Sequence, residues 1–227
     1  MVKSKDYHVT TIILISIAVV VIAFIYGIIH FIYKRPSIDD IWLINLEKDV
    51  DRLKSIRSQE HLLPQPIQRW DASYGKELNR LELTKKDGVQ TIISRSTDRD
   101  QNKQSNKVLS RAGEIGCWVS HKRLLKHLYS LSVSSSTGHL ILEDDIVIPQ
   151  DFIPRWNAIS ATIPTDWDIV YLGIGGIHGD RINENVVKWK NDKDDGNWGT
   201  FAYLVRHGSI GKILDTLTLM GAPIDVQ

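Results

Sequence analysis

The sequence predicts an α/β sandwich with a mainly parallel sheet, preceded by one N-terminal transmembrane helix. Two observations carry that expectation. Short apolar runs such as "IWLINL", "LIL" and "WDIVYLG" alternate with stretches whose apolar residues recur at helical spacing. Ahead of them, residues 7–33 contain no Asp, Glu, Lys or Arg.

That uncharged stretch is long enough to cross a hydrocarbon core of roughly 30 Å as a helix. A cleaved signal peptide would have a shorter apolar run ending in small residues, whereas this one stops at Lys34, Arg35 and Pro36. The expected organisation is a short tail at 1–9, an anchor in the lipid bilayer at 10–33, a tether at 34–40 and a single domain at 41–227. Lys3 and Lys5 on one side balance Lys34 and Arg35 on the other, so the positive-inside rule leaves the orientation open.

The whole chain of 227 residues carries 28 basic and 27 acidic side chains, a balance that gives no nucleic-acid footprint. With one cysteine, Cys117, there is neither an intrachain disulfide nor a Cys-rich metal site.

Within the domain, 41–46 reads as a buried strand. The segment 49–62 follows as a helix with Val50, Leu53 and Ile56 on one face, and 67–72 as a second strand. Residues 85–111, rich in charge, Ser, Asn and Gln, read as a long mobile insertion. A helix is expected from about Gly113, where Ile115, Trp118, Leu125 and Leu128 recur at helical spacing and Glu114 sits in the first turn. After a loop at 132–139 come the strand "LIL", a helix from about Asp151, a strand at 167–173 and a polar loop at 178–198. The strand "TFAYLV" and a last helix after Gly208 complete the order.

The strand "LIL" ends in Glu143, Asp144 and Asp145. Like charges about 4 Å apart repel by roughly 4 kcal/mol at an effective dielectric near 20, so three in a row need an offset. If the chain stays extended, Glu143 and Asp145 share a side and Asp144 takes the other. Carboxylates at the C-terminal end of a buried strand sit where open α/β sheets bind ligands. Mg²⁺ or Mn²⁺ is commonly held by one or two carboxylates with substrate phosphates, so the trio points to a nucleotide-diphosphate site. A solvated strand end capping the next helix is the other reading. The glycine and spaced acids of an EF-hand loop are missing after Asp145.

Five blocks, "INLEKDVDR", "GEIGCWVSHKRLLKHL", "LILEDDIVIPQDF", "WDIVYLG" and "GTFAYLV", stand in the order and at the spacings of glycosyltransferase family 25. The resemblance covers roughly residues 40–225. That family includes bacterial lipooligosaccharide galactosyltransferases and animal procollagen galactosyltransferases. It implies a GT-A-like, Rossmann-type sandwich, a UDP-sugar donor, Mn²⁺ or Mg²⁺ as cofactor and an inverting transfer.

By the same resemblance, Asp145 is the best metal ligand, with Glu143 or Asp144 reaching the ribose or a second metal position. Asn45 and Arg52 fall on the edge that receives uracil and ribose; Arg52 either contacts the nucleotide or pairs with a helix acid. Ala72 and Gly75 match a turn near the donor, where packing serves as well. In "GEIGCWVSH", Gly113 and Gly116 permit close backbone approach, while Glu114, Ser120 and His121 supply polar groups, His121 for donor phosphate or sugar. Cys117 reads as a small buried hydrophobe. Direct displacement needs a base for the acceptor hydroxyl. Asp225, in "APIDVQ", is the first candidate and Asp168 the second.

The expectation is a membrane-anchored glycosyltransferase moving a hexose, galactose first, from UDP to a glycan or protein hydroxyl. Its expected location is the Golgi or ER membrane with a lumenal catalytic domain, or the inner membrane of a bacterium. Family members usually continue where this chain stops, at Gln227, which raises a truncated or catalytically inactive, chaperone-like copy as the alternative. A glycoside hydrolase would need two carboxylates about 5 to 9 Å apart across the bond, which neighbours on one strand end are poorly placed to provide.

Overall fold

The computed structural model describes residues 14–27, 35–78, 104–189 and 197–217, with the side chains of 104–111 excepted. The chain divides into two units, Met1–Arg35 and Pro36–Gln227.

In the first unit, 14–27 is an α-helix with Leu14, Ile17, Val20 and Phe24 all exposed. Its fourteen residues rise about 21 Å. Among the described residues no helix is long and apolar enough to cross a membrane. The rest of the expected anchor, 10–13 and 28–33, lies outside the described residues, as does the tail at 1–9.

The second unit alternates strands and helices. In chain order these are β1 (Asp40–Asn45), α1 (Val50–Ser58), β2 (Ile67–Asp71), α2 (Gln104–Tyr129), β3 (Gly138–Glu143) and α3 (Phe152–Ser160). They continue as β4 (Ile169–Gly175), β5 (Gly179–Arg181), β6 (Val187–Trp189), β7 (Trp198–Arg206) and α4 (Ile210–Thr216). Five strands form one sheet in the order β2-β1-β3-β7-β4, and β5 pairs with β6 in a separate hairpin.

The strands alternate because both sheet faces are covered. Ile41 and Leu43 of β1 enter one apolar cluster with Ile56 of α1 and Trp156 of α3. Trp42 and Ile44 enter the other, with Trp118 and Leu125 of α2 and Ile210 of α4. Burying Ile41 or Leu43, both fully enclosed, is worth about 1.5–3 kcal/mol each. A polar residue at either position would break the strand's seat.

Two expectations change, and the mainly parallel sheet carries one reversed strand: β1 pairs parallel with β2 and β3, while β7 runs antiparallel between β3 and β4, which leaves four of the five strands in one direction. The chain enters β7 from the β5–β6 side of β4 and inserts beside β3, so it must run back along both neighbours. The polar loop at 178–198 contains that hairpin. And α2 begins at Gln104, so the end of the expected insertion at 85–111 is helix; its residues 85–103 lie outside the described residues.

Candidate functional site

From β1 the chain passes through α1 to β2, then returns through α2, packed on the opposite face, to β3 on the other side of β1. The strand order therefore reverses between β1 and β3. At such a point the helices leave in opposite directions and open a crevice beyond the carboxyl ends of the strands. Asn45 and Glu143 are the last residues of those two strands.

Asn45 is 1% exposed and fully engaged. Its Nδ2 donates to Asp144 Oδ2 at 2.8 Å and to the Asp49 carbonyl at 3.2 Å. Its Oδ1 accepts from Arg69 Nε at 2.9 Å, and Arg69 also donates to the Asn45 carbonyl and to Asp71. Arg52, projecting from the first turns of α1, donates to Asp144 Oδ1 at 2.9 Å and lies 3.5 Å from Asp145. Asp144 is thus held on both oxygens, by a buried amide and a half-exposed guanidinium.

Glu143 turns the other way. Its Oε1 accepts from Thr200 Oγ1 at 2.6 Å and lies 3.2 Å from His121 Nε2, while His121 Nδ1 is 2.9 Å from the Tyr203 hydroxyl. Burial works against a charged His121, but the Tyr203 oxygen, Cys117 and Glu143 outweigh it and hold the imidazole well above its usual range. Burial likewise pushes the Glu143 carboxyl up, and hydrogen bonds from His121 and Thr200 bring it below the ordinary value.

Asp145 is left partly exposed, its side chain 49% accessible. Burial and the charge of Glu143 raise its pKa, with Arg52 only partly compensating. Strand β3 ends at Glu143 and Asp144–Asp145 form a turn. The expected alternation, with Glu143 and Asp145 on one side, therefore fails after the strand's last residue.

The remaining residues fall into place around this core. His121 is 1% exposed with both ring nitrogens engaged, so it does not reach a donor sugar or phosphate directly. Glu114 lies half-buried in α2, seven residues before His121 and about 10 Å along the axis. Gly75 and Gly116 pack backbone to backbone: a Cβ on Gly116 would stand 2.6 Å from the Ser73 carbonyl oxygen. Ser120 completes that contact by accepting from the Ser73 N–H at 2.8 Å. Gly113 has no such neighbour.

Asp168 is corrected. It lies one residue before Ile169, which is level with Val205 and His139 in the sheet, four residues and about 13 Å along β3 from Glu143. There it accepts from Ser209 and Lys212, both at 2.6 Å, at the opposite end of the sheet from the trio. Asp225 lies outside the described residues.

Two donor sets could hold a metal. Cys117, His121 and Glu143 present ligand atoms within 4.8 Å of one another. The His121 nitrogens and Glu143 Oε1 there are already hydrogen-bonded. Asp145, flanked by Asp144 and Glu143, offers oxygen only, the donor type hard divalent cations prefer.

Thr200, Tyr203 and Arg69 were not legible as site residues. Thr200 and Tyr203 read as part of a plain strand 57 or more positions from Glu143. The signal for Arg69 was a charged residue inside an otherwise strand-like run.

Residues 38–191 match the family described as glycosyltransferase family 25 (LPS biosynthesis protein). Procollagen galactosyltransferase 1-A of Xenopus laevis is 27% identical over 196 residues, covering 84% of this chain and 30% of that protein. Procollagen galactosyltransferase 1-B of the same frog is 27% identical over 185 residues, covering 80% and 29%. A glycosyltransferase 25 family member of Drosophila pseudoobscura pseudoobscura is 28% identical over 164 residues, covering 70% and 24%. The chain spans under a third of the length of these relatives.

Proposed function

Because the chain belongs to glycosyltransferase family 25, we propose that it transfers a hexose from a UDP-sugar to a hydroxyl of a glycan or protein. The observation that carries this reading is the Asn45–Asp144 bond at the strand-order reversal, with the half-exposed Asp145 beside it. The galactosyltransferase names of the two frog relatives favour galactose as the sugar.

The residues fit a divalent cation. Three consecutive carboxylates have Arg52 and His121 as their nearby basic partners, and burial first, then the charge of Glu143, raises the pKa of Asp145. Asp145 would hold Mn²⁺ or Mg²⁺, with Glu143 or Asp144 as the second carboxylate. When bound, the ion supplies Lewis-acid neutralisation of charge on the departing diphosphate.

The chain's own residues do the rest. Asn45 fixes Asp144 so that the turn keeps one shape, and Arg52 presents a planar donor at its rim suited to a nucleotide or phosphate oxygen. Asp225 remains the proposed base for an inverting displacement, on its likeness to the family's Pro-x-Asp segment. Asp168, at the opposite end of the sheet, holds a structural ion pair with Lys212.

The N-terminal unit we assign to a bilayer. Its described helix carries apolar side chains exposed all round, within an uncharged run that reaches from residue 7 to 33. The corresponding location is a Golgi or ER membrane with the domain in the lumen, or an inner membrane in a bacterium.

Incubation of the full chain with a panel of UDP-hexoses and Mn²⁺, followed by assay of released UDP, tests the reading. Slow hydrolysis, fastest with UDP-galactose, is the expected result. A chain that neither binds nor hydrolyses any nucleotide sugar overturns the proposal.

A further inference from the structure

Three side chains that are not themselves placed on the donor, Tyr203, His121 and Thr200, form a continuous hydrogen-bonded chain behind Glu143. It runs from Tyr203 Oη to His121 Nδ1 (2.9 Å), from His121 Nε2 to Glu143 Oε1 (3.2 Å), and from Thr200 Oγ1 back to the same Oε1 (2.6 Å). Thr200 Oγ1 also lies 3.4 Å from His121 Nε2, which closes a small triangle. Three elements meet here: His121 on α2, Glu143 at the end of β3, and Thr200 and Tyr203 on β7.

We infer that Tyr203, His121 and Thr200 are positioning residues. They lock the Glu143 carboxylate, and through it the Asp144–Asp145 turn, in the shape that receives the divalent cation. The inference rests on the proposed cation site. It goes beyond that site in assigning work to residues that never touch the donor.

Three features of the geometry support it. First, His121 is held at both nitrogens, so its ring cannot rotate, and it is 1% exposed. Second, both bonds to Glu143 fall on Oε1, and among the described residues no hydrogen bond falls on Oε2. One oxygen is the fixed pivot and the other carries no hydrogen bond from a described residue. Third, Glu143 directly precedes the turn, whose other anchor is Asn45 on Asp144. The two clamps act on adjacent residues from opposite directions, Asn45 from β1 and Thr200 with His121 from β7 and α2. Outer-shell partners of this kind fix the orientation of carboxylate and imidazole groups around metals.

The strand β7 gains a role from this. It runs antiparallel beside β3, with Ala202 level with Leu142. That register brings Thr200 alongside the end of β3 and leaves Tyr203 beneath it, facing α2 and His121.

The test uses the full 227-residue chain and measures Mn²⁺ affinity by titration calorimetry, with near-ultraviolet circular dichroism and melting temperature recorded in parallel. Thr200→Val keeps the shape of the side chain and removes its hydroxyl; Thr200→Ser keeps the hydroxyl; Tyr203→Phe removes the far end of the chain. The expected result is a loss of Mn²⁺ affinity of roughly tenfold to a hundredfold in Thr200→Val and Tyr203→Phe, the range for lost outer-shell partners. Thr200→Ser should restore wild-type affinity with the dichroism unchanged. Wild-type affinity in Thr200→Val, or a loss in Thr200→Ser equal to that in Thr200→Val, would overturn the positioning role while leaving the cation site standing. A wild-type chain that binds no Mn²⁺ overturns the cation site itself, and this inference with it.

Discussion

Asn45 donates to Asp144 across 2.8 Å and so ties the carboxyl end of β1 to the turn that follows β3, 99 residues away in sequence. The amide is buried and the carboxylate is nearly so. The bond therefore does two jobs, satisfying a polar group under the sheet edge and fixing an acid at the mouth of the crevice.

Replacing Asn45 should separate from replacing Arg52. Asn45→Ala leaves Arg69 Nε and one Asp144 oxygen without their partner in a partly buried setting and should cost about 1–3 kcal/mol in urea denaturation. Arg52 is 53% exposed, so its ion pair with Asp144 is screened and Arg52→Ala should cost under about 1 kcal/mol. The same Arg52→Ala should weaken UDP binding roughly tenfold, the worth of one charge-assisted contact. Calorimetry and denaturation on the two variants check both halves.

Two glycines of one helix should respond with opposite signs. A Cβ at Gly116 would press on the Ser73 carbonyl and the Gly75 backbone, neither of which is a flexible side-chain end. Gly116→Ala should therefore destabilise by about 1–3 kcal/mol. Gly113 faces open space in the same helix, so Gly113→Ala should stabilise by about 0.4–1 kcal/mol. Melting curves of both variants decide it.

Acid sensitivity has a readable source at the far end of the sheet. Hydrogen bonds from Lys212 and Ser209 hold the Asp168 carboxyl below its ordinary 3.8. A carboxyl depressed in the fold stabilises fully above its unfolded value and loses that contribution as pH falls through the folded one. The wild type should thus exceed Asp168→Asn in stability at pH 6, and the gap should close below about pH 4. Urea midpoints of the two proteins across that range measure it. A gap that does not change with pH would remove Asp168 from the account.

Much of this layout was visible in the chain. Because β1 and β3 are covered on both faces, "IWLIN" and "LIL" stand out as continuous apolar runs, and their ends carry the polar residues of the site. Direction was not visible: "TFAYLV" satisfies the same pattern running either way, so the antiparallel course of β7 emerged only with the hydrogen bonds. Side-chain alternation also stops where a strand stops. Extending it past Glu143 put Asp145 on the wrong side, because a turn has no two-residue period. Thr200 was hidden for a different reason. A hydroxyl that matters only through its distance to one carboxylate leaves no local mark. His121 was picked out, but as a donor contact, since its spacing says nothing about burial.

The claim on which the rest depends is that Asp145 grips a cation shared with a diphosphate, and calorimetry of UDP binding with and without Mn²⁺ tests it most directly. The wild type should bind UDP tightly only with Mn²⁺, and Asp145→Ala should lose that dependence while keeping its melting temperature. If Asp145→Ala binds UDP with the wild-type response to Mn²⁺, the cation lies elsewhere and the account of the site is wrong.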